Sequence, residues 1–257
     1  MNMTKYQLDF IVRENRRISP AYSLLTLTRM DGKPLPPSAA GQFVEILVPD
    51  AKDTLLRRPI SISHVTENKL FLLIRRAGNA TDALCDTAEG TVLNLVFPLG
   101  NGFGTTGMKG KKVLLAGGGV GISPMWQLAE QLGKEGAEIN ILTGARTKDM
   151  LLLCDELSPL GKLHISTDDG SFGEPGVVTA NSVWNEKWDM VYVCGPAPMM
   201  KAVAALCRRK EIPCEVSLEN MMACGLGACL CCVEKTVKGN VCVCTEGPVF
   251  NINQLLW

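Results

Sequence analysis

Val113-Leu114-Leu115-Ala116-Gly117-Gly118-Gly119-Val120-Gly121-Ile122-Ser123-Pro124 decides the fold class of the central part of this chain. Four apolar residues read as a short buried strand, glycines follow, and Pro124 suits the first turn of a helix. A strand passing through glycines into a helix is a setting in which backbone N–H groups cradle phosphate, because the missing side chains let an anion approach. The run is not G-x-G-x-x-G. The strand about twenty residues later ends in Thr143-Gly144-Ala145-Arg146, with no acidic residue for a ribose, so a standard Rossmann site does not follow. A tight turn in an α/β fold is the plain alternative.

Downstream the same grammar repeats. Helices are predicted from Pro124 to Lys134 and from Ala197 to Lys210, and strands over Glu138–Leu142, Lys162–Thr167 and Met190–Val193. Strands alternating with helices argue for a parallel α/β sheet. Cys194-Gly195-Pro196 again follows a buried strand and opens a helix. That places it at the carboxyl edge of the same sheet, where open α/β folds bind ligands. Asp168-Asp169-Gly170-Ser171 reads equally as a solvated turn or a pocket wall.

Upstream, to about Phe103, alternating or β-branched runs at Tyr22–Thr28, Gln42–Val48, Lys69–Arg75 and Thr91–Phe97 are separated by turn signals such as Asp31-Gly32. This spacing predicts an antiparallel sheet closed into a small barrel, with one helix starting near Asn79–Thr81. From Val216 onward the chain is rich in Cys and Gly and too short for its own core, so a bound metal centre would order it. Three zones are expected: residues 1–104, 105–215 and 216–257.

The 257 residues are 46% hydrophobic and 20% charged. Their 26 basic and 26 acidic side chains cancel, leaving no long-range field to attract nucleic acid or an anionic membrane. The first residues lack a signal peptide's basic and apolar regions, and no apolar run reaches the roughly 18 to 20 residues of a membrane span. A soluble cytoplasmic protein is expected. Eleven cysteines in such a chain point to metal chemistry or buried thiols rather than disulfides. Six of them (Cys224, Cys229, Cys231, Cys232, Cys242 and Cys244) fall in one short stretch.

Cys224, Cys229 and Cys232 are spaced C-x4-C-x2-C, and Cys244 follows after eleven residues. The first intervals match the plant-type [2Fe–2S] pattern, with a short final interval. Gly225 and Gly227 permit a loop whose N–H groups point at sulfur. A structural zinc site is the alternative, although its cysteines usually come in paired C-x2-4-C spacings. Cys231 and Cys242 compete with their neighbours for the assignment.

Arg57-Arg58-Pro59-Ile60-Ser61-Ile62-Ser63 places a cation and a hydroxyl on one strand. Arg58 and Ser61, three apart, face opposite sides unless a bulge re-aims one. With Gly78-Asn79-Ala80-Thr81, Pro98-Leu99-Gly100-Asn101-Gly102-Phe103, the glycine turn and Cys194-Gly195-Pro196, in that order, the chain resembles the ferredoxin reductase superfamily over about its first 210 residues. With the cysteines included, it is similar over nearly its full length to the electron-transfer subunits of type B dihydroorotate dehydrogenase.

The resemblance implies a β-barrel plus α/β fold: a ferredoxin-reductase-like antiparallel barrel for FAD, a parallel α/β nicotinamide-binding domain, and a short C-terminal [2Fe–2S] segment. It implies that Arg58, Pro59, Ile60 and Ser61 hold FAD, with Arg58 at the pyrophosphate and Ser61 near the reactive flavin edge. Leu73, Ile74, Arg75, Ala80 and Thr81 would complete that site. Gly117, Gly118, Gly119 and Gly121, with Cys194, Gly195 and Pro196, would receive NAD. Cys224, Cys229, Cys232 and Cys244 would ligate the cluster.

The implied partner is an FMN-containing catalytic subunit that oxidises dihydroorotate in pyrimidine biosynthesis, two of each forming a heterotetramer. Because nicotinamide exchanges hydride and a [2Fe–2S] cluster single electrons, a flavin, which does both, belongs between them. No general acid or base is asked of this chain, and His64 and His164 read as structural. One alternative is a related FAD/[2Fe–2S] subunit of a ferredoxin- or sulfide-linked NAD(P) oxidoreductase; another is a zinc-stabilised nucleotide-binding module. Arg146 alone is a weak case for a 2′-phosphate, so NAD is preferred.

Overall fold

In the computed structural model, which describes residues 4–49 and 54–257, the first sheet contains seven antiparallel strands. They are β1 (Tyr6–Ser19), β2 (Tyr22–Arg29), β3 (Phe43–Leu47), β4 (Arg58–Ser61), β5 (His64–Val65), β6 (Leu70–Arg75) and β7 (Val92–Leu99), in the order β4-β3-β7-β1-β2-β6-β5. Phe10, Leu25, Leu27, Ile46, Leu72 and Leu95 fill its inner face, and Ala80, Leu84 and Cys85 of α1 (Asn79–Cys85) join them. The expected antiparallel barrel is present as a half-barrel sheet, in which no ladder among the described residues joins the edge strands β4 and β5.

The fourteen-residue β1 is not singled out by the sequence pattern. Its pairing with β2 shifts register between Val12 and Glu14 and again between Arg17 and Ser19. Each shift reverses which residues face inward, so no steady period-two alternation develops.

The second sheet begins with β8 (Lys112–Gly118), followed by α2 (Ser123–Glu135), β9 (Glu138–Ala145), α3 (Cys154–Leu157), β10 (Lys162–Thr167), β11 (Glu174–Pro175), β12 (Met190–Cys194), α4 (Ala197–Arg209) and β13 (Cys214–Ser217). The chain then forms a ribbon, β14 (Val233–Thr236) and β15 (Gly239–Cys242), a short α5 (Val243–Glu246), and β16 (Val249–Asn251). Sheet order is β11-β10-β9-β8-β12-β13-β16, parallel except for β16. From β8 the chain moves outward to β9 and later returns to lay β12 on the other side. The carboxyl ends of β8 and β12 therefore flank the switch point where ligands bind in such sheets.

The cysteine-rich segment has no core of its own. Cys232, Val243, Cys244 and Phe250 pack into the cluster formed by Val191, Val203 and Val216. The expected boundary between residues 215 and 216 falls inside β13, so this segment is continuous with the second sheet and returns to it through β16.

The two sheets meet at β5 and α2. Ser63 Oγ and Ser123 Oγ are 2.7 Å apart, and Gln127 N donates to Ser63 O at 3.0 Å. His64 stacks on Trp126 at 4.7 Å between centroids and pairs with Glu130. His164 meets Asn140 Oδ1 at 3.1 Å, and burial pulls its pKa down. Both histidines occupy structural positions. No helix of the described residues is long and apolar enough to cross a membrane.

Candidate functional site

All three zones of the chain wall one pocket of about 310 Å³. Pro59, Ile60 and Ser61 of β4 with Leu73 and Arg75 of β6 form one side; Val120 of the glycine turn closes a second. Leu218 to Met222 and Pro248, from the cysteine-rich segment, form the third. Strand alternation explains the selection on β6: Leu73 and Arg75 face the pocket, whereas Ile74 between them lies in the barrel core. Nothing in the sequence pattern marks residues 218–222 as a wall, because they lie in an irregular stretch that tertiary packing alone brings to β4.

Arg58 stands in a different depression, beside Thr54, Ala80 and Thr81 and the turn between them. The three-residue spacing of Arg58 and Ser61 thus sends them to separate places. Arg58 donates to the carbonyls of Leu56 and Arg57, at 2.9 and 3.2 Å. Arg57 is anchored instead, to Asn94 O at 2.8 Å, Asn94 Oδ1 at 2.5 Å and Glu45 O at 3.3 Å. Thr81 Oγ1 donates to Gly78 O and accepts from Ala77 N, fixing the turn in which Gly78 has φ +146°.

The glycines of the β8–α2 turn serve two purposes. A Cβ on Gly118 would stand 2.3 Å from Met199 Sδ, and one on Gly121 would stand 2.5 Å from the carbonyl carbon and oxygen of Cys194. These glycines let the turn close upon Cys194-Gly195-Pro196. Gly117 likewise accommodates Ile122. Gly119 differs: its φ is +54°, and a Cβ there would meet nothing nearer than Tyr22 Oη at 3.9 Å, so it faces open space.

Cys194 is buried with Sγ 4.0 Å from Glu219 Oε1; burial, with Glu219 adding, pushes its thiol pKa far up. Glu219 is itself raised by desolvation, which Arg75 opposes. Asp168 to Ser171 forms a turn in which Ser171 N and Oγ both donate to Asp169 Oδ1, and it is tied to the end of β9 by Asp168 N donating to Ala145 O and Lys148 N donating to Ser171 Oγ.

The cysteine loop brings its sulfurs together in pairs. Cys229 lies against Cys224, and N–H groups of Leu226, Cys229 and Ala228 point at the Cys224 sulfur; burial opposes ionisation, yet these donors bring the thiol down to about 6. The buried Cys232 and Cys244 form a second pair, Cys244 N donating to Cys232 Sγ at 3.4 Å. Gly227 N donates to Cys244 Sγ at 3.1 Å, while burial and the Cys232 sulfur push Cys244 up to about 12.

Cys242 also neighbours Cys232, but its thiol donates to Gly227 O rather than receiving an N–H, and burial raises its pKa. Cys231 is exposed and enters none of the sulfur contacts among the described residues. Positive φ at Gly225, Gly227 and Leu230 bends the backbone around the sulfurs. Four cysteine sulfurs gathered in one loop, with N–H donors aimed at Cys224, Cys232 and Cys244, fit a two-iron cluster held by four cysteines.

Sequence reasoning also misses Glu45. It is fully buried on β3 beneath the cysteine loop, and among the described residues neither carboxyl oxygen has a hydrogen-bond partner. Desolvation, opposed by Arg57 and aided by Cys224, raises its pKa to about 7. The available signal was a lone charge inside the apolar run Phe43-Val44-Glu45-Ile46-Leu47.

Comparison with known proteins agrees with this geometry. A family described as the iron-sulfur cluster binding domain of dihydroorotate dehydrogenase B matches residues 219–256, and the oxidoreductase NAD-binding domain family matches residues 115–205. A Lysinibacillus sphaericus protein named dihydroorotate dehydrogenase B (NAD(+)), electron transfer subunit, is 42% identical over 219 residues, covering 82% of this chain and 84% of that one. A protein of the same name from Caldanaerobacter subterraneus is 35% identical, covering 98% of this chain and 100% of its own. Among solved structures, an NADH-dependent reduced ferredoxin-NADP oxidoreductase has a TM-score of 0.85 at 26% identity, covering 100% of this chain and 92% of that one.

Proposed function

This chain belongs to the family of dihydroorotate dehydrogenase B electron-transfer subunits, and we propose that it links an FMN-containing catalytic subunit, which oxidises dihydroorotate in pyrimidine biosynthesis, to NAD+ through a [2Fe–2S] cluster and FAD. The observation that carries this reading is the single pocket walled by β4 and β6, by Val120 of the glycine turn, and by the cysteine-rich segment. A cofactor there would touch the nicotinamide side and the cysteine side at once. When bound, FAD supplies the exchange between hydride and single-electron transfer, and the cluster supplies a one-electron port.

The chain's own residues divide the work by position. Ser61, Pro59, Ile60 and Leu73 would hold the flavin ring, with the backbone of Ile74 behind it and Arg75 at its rim. Arg58, with the turn at Ala80 and Thr81, would hold the pyrophosphate; an Arg–phosphate pair is charge-assisted and directional. Gly119 leaves room for the dinucleotide, while Gly117, Gly118 and Gly121 set the turn against Cys194, Gly195 and Pro196. Cys224 with Cys229, and Cys232 with Cys244, would each serve one iron. Residues 1–104, 105–215 and 216–257 would then be the FAD, NAD and cluster segments.

Met221, Leu226 and Leu230, all exposed large apolar side chains, surround the cysteine loop. Exposed apolar groups beside an electron port suit the catalytic subunit as occupant, in a heterotetramer of two of each chain. Eleven free cysteines suit the cytoplasm. The test is to purify the chain with and without the catalytic subunit and assay dihydroorotate-dependent reduction of NAD+. Activity is expected only with both; activity without the partner, or with reduced ferredoxin as the sole effective donor, would refute the assignment.

A further inference from the structure

Glu45 stands in the wall between the flavin pocket and the cysteine loop. Its cross-strand neighbour is Pro59, which lines the pocket. Above it lies Gly225, so close that a Cβ there would stand 2.7 Å from Glu45 Cγ and 3.2 Å from Oε1. The side chain is fully buried, yet neither oxygen has a hydrogen-bond partner among the described residues. Buried polar groups are nearly always paired, and a carboxyl left alone is costly whether neutral or ionised. Arg57 favours its charge only through space, because the guanidinium hydrogen-bonds the carbonyls of Glu45 and Asn94 and the Asn94 side chain. A leucine or methionine would fill the same space without this penalty, so packing alone does not account for a carboxyl here.

We propose that Glu45 is a positioning residue for the iron–sulfur cluster: its buried side chain, packed directly beneath Gly225, supports the Cys224–Gly225 turn on β3, and its carboxyl group sets the local polarity that fixes the cluster's reduction potential relative to the flavin. This rests on the [2Fe–2S] reading given above. Cluster potentials respond to net charge, hydrogen bonding and solvent exposure. An amide of the same shape always presents two N–H donors to its surroundings, so Glu45→Gln favours the reduced, more negative cluster. Glu45→Leu keeps the volume and removes the polar group altogether.

The experiment uses the complete complex with its catalytic subunit, purified anaerobically with Glu45, E45Q or E45L. Iron and sulfide content are measured, the cluster midpoint potential is followed by electron paramagnetic resonance, and the flavin midpoint is followed by visible absorbance. E45Q is expected to bind iron like the wild type, with a raised cluster potential and an unchanged flavin potential. E45L is expected to lose iron several-fold. Full loading and unchanged potentials in both variants overturn the proposal, as does an equal shift at the flavin. A wild-type complex without iron overturns the cluster reading instead. If E45Q does not fold, Glu45→Asp, which draws the carboxyl back by one methylene, replaces it, and an unchanged cluster potential overturns the proposal.

Discussion

Gly121 is packed directly on Cys194, where a Cβ would stand 2.5 Å from the carbonyl carbon and oxygen. Two turns distant in sequence are thereby locked at the carboxyl edges of β8 and β12. Gly121→Ala must force them apart, and overpacking of this kind costs about 1–3 kcal/mol. If that strain falls on the nucleotide turn, KM for NADH should rise roughly tenfold, with flavin content unchanged. Steady-state reduction of ferricyanide by NADH measures the first and visible absorbance the second; a variant with wild-type KM would show that the turn yields without affecting the site.

The adjacent Arg57 and Arg58 should separate by phenotype. If Arg58 holds the FAD pyrophosphate as proposed, Arg58→Ala removes a charge-assisted contact worth about 1.5–3 kcal/mol, and FAD affinity should fall roughly ten- to a hundredfold while the apoprotein melts as before. Arg57→Ala strips the bonds to Asn94 and the Glu45 carbonyl and should lower the melting temperature with a smaller effect on FAD. Flavin fluorescence titration beside thermal denaturation distinguishes them. Equal loss of FAD in both would place the two guanidinium groups at the same phosphate.

The parallel sheet was legible because buried parallel strands read as unbroken apolar runs, such as Val113 to Ala116, and glycine turns punctuate them. The barrel was legible in its short strands but not in β1, where two register shifts break the alternation. At the candidate site, residues in local motifs, such as Arg58 and Gly119, could be nominated from sequence. Leu218 to Met222 and Glu45 were not, since their relevance comes from contacts between segments far apart in sequence. The cysteine spacing suggested ligands; only the fold showed Cys224 beside Cys229 and Cys232 beside Cys244.

Glu215 offers a pH test of the joint between the sheets. Its carboxylate accepts from Gly104 N at 2.9 Å, and desolvation raises its pKa above the ordinary 4.5, the Gly104 bond opposing. The folded state therefore binds this proton more tightly than the unfolded state. Its contribution to stability is complete below pH 4.5 and is lost as pH rises through the raised folded value. Glu215→Gln keeps an acceptor for Gly104 and has no proton to lose. The melting temperature of the variant should gain on the wild type as pH rises above 4.5; parallel curves would show that Glu215 titrates normally.

The cysteine assignments make the sharpest contrast because the competing residues are neighbours. Cys232 is buried and receives the N–H of Cys244, whereas Cys231 is exposed; Cys244 receives the N–H of Gly227, whereas Cys242 donates to the Gly227 carbonyl. Serine is a poor substitute for thiolate at iron, so Cys232→Ser and Cys244→Ser should lose most of the iron and abolish dihydroorotate-dependent NAD+ reduction in the complex. Cys231→Ser and Cys242→Ser should retain both. In all four, reduction of the bound flavin by NADH should persist, because the glycine turn and β4 reach the pocket independently of the sulfurs. Loss of iron in Cys231→Ser, with retention in Cys232→Ser, would shift the ligand register by one residue and make the exposed thiol the port.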